Sequence, residues 1–209
     1  MTRLIANTTI GTHRPTFIVT IMDQIRDYFK KISNLNDKDW QIFSSKLIRR
    51  EFPKKALLLK AGQTESHLSF VERGIIRFFI PREENDLTFG FAFDNGFISA
   101  YDSFLTQVPS TYQLQTMTQT ILWSLTYRDL QEIYTKTEIG NTIGRYAAED
   151  LFLKKNKREL SLLNETAEQR YVKLFAERPE LFKQIPLKYI ASYIGITPQA
   201  LSRIRKRIY

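Results

Sequence analysis

Cysteine is absent from all 209 residues, and histidine is nearly so, with His13 and His67 far apart in the chain. The first absence excludes disulfides, thiolate zinc sites, Cys-ligated iron–sulfur clusters and a catalytic thiol. The second leaves no paired-histidine metal site. No nucleophilic triad or phosphate-cradling glycine loop is present, and Gly62, Gly74, Gly90 and Gly96 read as turn or strand glycines. No stretch approaches the ~20 apolar residues that cross a bilayer. Asn7, Thr8, Thr9, Thr12, His13, Arg14 and Pro15 interrupt any apolar core of a secretory signal. The expectation is a cytoplasmic protein that is not an enzyme and has no metal, no catalytic residue and no membrane partner.

What is present is a composition of 43% hydrophobic and 25% charged residues, ordinary for a folded chain, and a charge gathered at one end. From Lys154 to Tyr209 there are 13 Lys and Arg against 5 Glu, a net +8 out of the chain's total of +9. Such a concentration suits a phosphate surface, because each neutralised phosphate releases condensed counterions. A solvated basic helix face would carry the same charge.

Residues 1–21 read as a flexible extension, since Met22 opens the first clear helical pattern. Ile25, Tyr28, Phe29, Ile32, Trp40 and Phe43 predict two short helices within residues 23–45, the second capped by Asn36 or Asp37. Short apolar runs then predict strands over 47–52, 56–60, 68–71, 74–80, 87–93 and 113–125, with reversals between them. This pattern means a β-barrel, sandwich or roll. From about Tyr127 the period is helical again. Ile139, Tyr146, Leu153 and Leu160 recur every seven residues, with Ile143 beside them, as a dimer seam would require. One amphipathic helix packed on its own domain would repeat similarly, and Asn156 and Lys157 weaken the seam. A further helix over 167–176 ends at Arg178-Pro179, and a last helical pair follows Pro186.

That last pair meets several independent demands of a helix-turn-helix. Ala191 is small where two helices would touch, and Gly195 tolerates the positive φ of a tight turn. Ile190, Ile194, Ile196, Leu201 and Ile204 fall on the inner faces, Thr197 is a good N-cap, and Pro198 takes the favoured first helical position. Gln199, Ser202, Arg203 and Lys206 then face outward. Arg203 suits guanine and Gln199 suits adenine, while Arg205, Lys206 and Arg207 suit phosphates. No acidic residue follows Lys183. A plain helical hairpin with a polar face is the alternative.

Phe52-Pro-Lys-Lys-Ala-Leu-Leu-Leu-Lys-Ala-Gly62, Phe70-Val-Glu-Arg-Gly74-Ile-Ile-Arg77 and the stretch from Pro186 to Arg205 resemble the Crp/Fnr family of bacterial transcription regulators, in the branch common in Bacteroidetes-type bacteria. The resemblance covers nearly everything after Met22. It implies an α+β fold: an antiparallel cyclic-nucleotide-binding-like β-roll with flanking helices (22–137), a long dimerisation helix (138–164) and a helix-turn-helix domain (165–209). It also implies a homodimer on a near-palindromic operator. Its partners would be double-stranded DNA, a second copy of the chain and RNA polymerase. The DNA-contacting set would be Thr197, Pro198, Gln199, Ser202, Arg203, Arg205 and Lys206.

Two departures qualify the resemblance. The family's nucleotide cassette, resembling Phe-Gly-Glu, a short helix and Pro-Arg-Ser/Ala, corresponds here to Phe97-Ile98-Ser99 and Pro109-Ser110-Thr111. Ile98, Ser99 and Ser110 stand where Gly, Glu and Arg would be, so cyclic AMP would meet no fixed positive charge. Phe97, Ile98, Ser99, Ser110 and Thr111 form the candidate pocket for an unknown small-molecule effector, and no cofactor is expected. The usual β-hairpin wing beyond the recognition helix is also not expected, since the sequence runs only to Tyr209. Two other readings stand beside a regulator: a small-molecule sensor or protein-interaction module without sequence-specific DNA binding, and a cupin-like β-roll enzyme. The enzyme would need clustered metal ligands, and His67 is the roll's only histidine.

Overall fold

The computed structural model describes residues 16–32 and 34–208. It begins with two helices, α1 (Thr16–Lys30) and α2 (Asp37–Ser45). Asn36 caps α2, its side chain accepting from the Asp39 amide at 2.8 Å. Ile21, Ile25 and Phe29 recur every four residues on one face of α1 and are buried with Phe43 of α2. This corrects the expected extension over 1–21. Residues 1–15, His13 among them, lie outside the described residues, whereas 16–21 are helical and Ile21 belongs to the core. The buried spacing starts at Ile21, one turn before Ile25.

Eight strands follow among the described residues: β1 (Ile48–Phe52), β2 (Leu57–Leu59), β3 (His67–Arg73), β4 (Ile76–Ile80), β5 (Leu87–Ala92), β6 (Phe97–Ile98), β7 (Gln113–Thr116) and β8 (Thr120–Thr126), with helix α3 (Tyr101–Thr106) after β6. They pair antiparallel in two four-stranded sheets, ordered β1-β8-β3-β6 and β2-β7-β4-β5. The strand expected over 113–125 is two strands. Its reversal at Met117-Thr118-Gln119 carries none of the usual turn residues. Hydrogen bonds to the Gly74–Ile75 corner hold it instead: Met117 N to Ile75 O at 2.7 Å and Ile75 N to Thr118 Oγ1 at 3.0 Å.

Side chains alternate across each strand, so each sheet has an inner and an outer face. Leu59, Val71, Ile76, Ile98, Leu114 and Leu122 fill the roll. Phe70, Trp123 and Leu125, on the other face of β3 and β8, are covered by α1, α2 and α4 (Tyr127–Lys136). Ile75 from the β4 end of the second sheet joins a cluster with Tyr171, Leu181, Ile190 and Leu201 of the C-terminal helices.

Helix α4 starts in a capping box between Thr126 and Asp129. After a break at 137–139 the chain enters α5 (Gly140–Asn164), 25 residues and so about 37 Å long. Two features fix its direction. The buried Asp39 carboxylate of α2 accepts from Glu138 N (3.0 Å) and Ile139 N (3.2 Å) at the start of the helix. Gly140 lets α4 pass close by, since a Cβ there would lie 2.7 Å from Ile133 O and 2.8 Å from Tyr134 Cα.

Beyond that anchor α5 has little cover: Gly140 is its one buried residue. Ile139 and Ile143 pack against the helical core, whereas Tyr146, Leu153 and Leu160 are 41%, 63% and 48% exposed. The expected seam is thus divided, its first two members turned to their own domain and its last three projecting outward. The remaining helices are α6 (Ala167–Glu177), α7 (Leu181–Gln184), α8 (Leu187–Ile194) and α9 (Pro198–Ile208). Thr166 caps α6 in a second capping box.

Candidate nucleic-acid interface and effector pocket

Helices α8 and α9 meet as the spacing predicts. Ile190, Ala191 and Ile194 of α8 and Leu201 and Ile204 of α9 are buried in one cluster, with Ile196 packed beside it. Gly195 makes the turn at φ +82°, its N–H donating to Ser192 O at 3.1 Å. An L-residue pays for this left-handed conformation in steric strain, and glycine does not. Thr197 caps α9, accepting from Ala200 N at 3.2 Å.

With that core inside, all seven residues of the predicted DNA-contacting set (Thr197, Pro198, Gln199, Ser202, Arg203, Arg205 and Lys206) are exposed. Pro198, Ser202, Arg205 and Lys206 also line a shallow groove with Leu187 and Leu201. Arg207 differs from its neighbours, because its guanidinium is paired with Glu168 at 2.7 Å.

The expected effector residues are not brought into one cavity. Phe97 lies outside the roll, its ring 5.3 Å from Tyr28, 5.4 Å from Phe29 and 5.2 Å from Phe70. Ile98 is part of the roll's apolar filling. Ser99 donates to His67 O at 2.9 Å, and the buried Ser110 donates to Tyr112 O at 2.9 Å. Both hydroxyls therefore bond the chain's own backbone. Thr111 is exposed.

Glu65, which the sequence reading passed over, occupies this corner. It is 8% exposed, and its carboxylate accepts from His67 N at 2.9 Å and from Ala100 N, just before α3, at 3.5 Å. Burial pushes its pKa up, against the backbone donors and the nearby Arg50 charge. Tyr112 donates its phenol to the Asp102 carboxylate, and burial with that bond pushes the phenol up as well. A single Glu after a Thr, with no motif around it, carries no sequence signal for such a position. His67 is half-buried with its pKa lowered by burial and has Ser66 Oγ 2.8 Å from Nδ1. Among the described residues no three His, Asp or Glu come together as a metal site, and no helix is long and apolar enough to cross a membrane.

Residues 49–137 match the family described as the cyclic nucleotide-binding domain. No curated protein matches the chain significantly in sequence. Among solved structures, the chain is similar to a putative transcriptional regulator of the Crp/Fnr family from Eubacterium rectale (16% identity, 87% of each chain covered, TM-score 0.69). It is also similar to the c-di-GMP responsive global regulator CLP of Xanthomonas campestris (17% identity, 83% of this chain and 91% of that one, TM-score 0.65). A third is FixK2 of Bradyrhizobium japonicum (11% identity, 78% and 84% covered, TM-score 0.66). The roll, the long helix and the helical C-terminal region are thus those of the Crp/Fnr fold.

Proposed function

We propose that this chain, a cyclic-nucleotide-binding-like roll joined to a helix-turn-helix in the Crp/Fnr fold, is a DNA-binding transcriptional regulator. It acts as a homodimer on a near-palindromic operator. The observation that carries this reading is the outer face of α9: Gln199, Ser202, Arg203 and Lys206 are all exposed above a packed inner face, and the chain has no acidic residue after Glu180. A helix presented in this way fits the major groove, with Arg203 placed for guanine and Gln199 for adenine. Arg205 and Lys206 hold phosphates. The exposed Tyr146, Leu153 and Leu160 of α5 meet their counterparts in the second copy, and RNA polymerase is the further partner that goes with this role.

Cyclic AMP is not the effector in this proposal. Ser110 supplies no charge to a cyclic phosphate. Titration calorimetry is expected to give no micromolar binding of cyclic AMP.

The test of DNA reading is fluorescence anisotropy against genomic fragments recovered by footprinting, over a salt series. Affinity is expected to fall linearly with log salt concentration, and Arg203→Ala to weaken operator binding by ~1–3 kcal/mol while leaving random DNA unchanged. Equal losses on both DNAs overturn base reading by Arg203. A flat salt response overturns DNA binding in favour of a protein partner.

A further inference from the structure

Arg77 has no part in the functions above, yet it is the most deeply buried charged side chain among the described residues, 1% exposed as the second residue of β4. Its guanidinium carbon lies 3.7 Å from the ring centre of Phe79 and 3.8 Å from that of Tyr189 in α8. One nitrogen, Nη2, pairs with Asp86 at 2.7 Å. The other two, Nε and Nη1, are buried without a hydrogen-bond partner, and so is Oγ1 of Thr88, itself 1% exposed on β5. The backbone around Asp86 and Thr88 reaches the same helix. Thr88 N donates to Ser192 Oγ at 2.8 Å, and Ser192 Oγ donates to Asp86 O at 3.1 Å. Arg77, Asp86 and Thr88 of the roll thus form one joint with Tyr189 and Ser192 of α8.

The forces at this joint oppose one another. The Tyr189 face over Arg77, the two Ser192 hydrogen bonds and the dry apolar contacts of Ile75, Met117, Phe91 and Phe93 with the C-terminal cluster hold it closed. The unpaired polar atoms of Arg77 and Thr88 favour opening, because each would gain water. A contact in which opposing forces meet in this way is one that a change in the roll can bias. Helix α8 runs through Gly195 directly into α9, so where α8 sits decides where α9 sits. Gln199, Ser202, Arg203 and Lys206 remain exposed with the joint closed. The joint therefore orients the recognition helix and does not mask it.

We propose that the Arg77 joint is a latch by which the roll holds the helix-turn-helix in its DNA-reading position, and that the state of the roll reaches α9 through β4, β5 and α8. The DNA consequence rests on the function proposed above; the mechanical one does not. The cysteine-free chain allows a direct test with two spin labels on the full-length protein, at Lys60→Cys on the roll and Lys183→Cys in α7, both exposed positions. The unlatched variants are Arg77→Met and Tyr189→Leu, which keep apolar bulk while removing the charge or the ring. Ser192→Ala, which removes only the two hydrogen bonds, serves if either fails to fold by circular dichroism.

With the doubly labelled chain diluted into an excess of unlabelled chain, so that a homodimer carries labels on one chain, the parent protein is expected to give one narrow distance distribution and the variants a broad or displaced one. Operator affinity is expected to fall about tenfold with the lost cation–π contact, with the salt slope unchanged. Parental distance distributions in folded variants overturn the latch. Broadened distances with unchanged operator affinity overturn its coupling to DNA. A parent protein that binds no DNA refutes the proposed function and leaves the distances to decide the latch.

Discussion

Leu153→Ala separates the role of α5 as a dimer seam from any role in the fold of one chain. Leu153 is 63% exposed, on a helix whose one buried residue is Gly140, so truncating it removes little from the packing of its own chain. The substitution deletes three carbons, worth about 0.8 kcal/mol each when fully buried. Scaled by the 63% still exposed for a partner to cover, this is about 1.5 kcal/mol per chain and about 3 kcal/mol for a symmetric pair. Dimer dissociation should therefore become about a hundredfold easier. Alanine is at least as good a helix former as leucine, so α5 itself should persist. Sedimentation equilibrium over a concentration series reads the association constant, and far-ultraviolet circular dichroism at high dilution reads the fold. Unchanged association would refute the seam. A loss of helicity in the monomer would refute the argument that Leu153 carries no intrachain load.

Three further outcomes follow from named contacts. Asp39→Ala removes the carboxylate that caps α5 and leaves the Glu138 and Ile139 amides without their acceptor; denaturant unfolding should show a loss of about 2 kcal/mol, and a loss below the error of the measurement would refute the cap. Gly195→Ala places a side chain at φ +82°, with the nearest atoms outside the turn no closer than Leu162 Cδ2 at 3.5 Å. The expected cost is the conformational one alone, about 1–2 kcal/mol, smaller for Gly195→Asn, and equal melting temperatures for Gly and Ala would contradict it. For Glu65, whose folded pKa is raised by burial above its ordinary value near 4.5, the folded state binds the proton more tightly than the unfolded one. The stability it lends is therefore present at low pH and lost as pH rises through its folded pKa. The melting-temperature difference between Glu65→Gln and the parent protein should grow from pH 4 to neutrality in favour of the variant, and a difference that shrinks would reverse the assignment.

The helix-turn-helix was legible because its constraints are local. Ala191, Gly195, Thr197 and the apolar positions of α8 and α9 sit at fixed offsets within about twenty residues, and each has its own steric or hydrogen-bonding reason. The strands of the roll were legible for a similar reason, through their alternation and turn residues. The turn at Met117 was not, because its bonds come from Ile75, more than forty residues away in sequence. Glu65, Asp39 and Arg77 were invisible for the same cause. Each is an ordinary charged residue in its own stretch, and only the packing of distant segments makes it a buried carboxylate, an acceptor at the start of α5 or a buried guanidinium against α8. The effector corner fared worst, since the family pattern directed attention to Ser99 and Ser110, whose hydroxyls are spent on backbone carbonyls.

These buried groups combine into a single mechanical frame. Asp39 and Gly140 set the angle at which α5 leaves the roll. At the far end of α5, Arg158 donates to Tyr193 O and lies 4.1 Å from its ring, while Arg170 of α6 donates to Ile194 O at 2.8 Å, so the C-terminal end of α8 is tied to the long helix and its successor. The Arg77 joint ties the middle of the same helix to the roll. Roll, long helix and α8 thus form a triangle with buried or half-buried charged side chains at its corners: Asp39 at one, Arg158 and Arg170 at the second, and Arg77 at the third. A rigid triangle cannot turn α9 by bending α5 alone, because the side through β5 would have to yield too. Any change that reorients α9 must therefore act on at least two corners together, and the Arg77 corner, with three unpaired polar atoms, is the least satisfied of them.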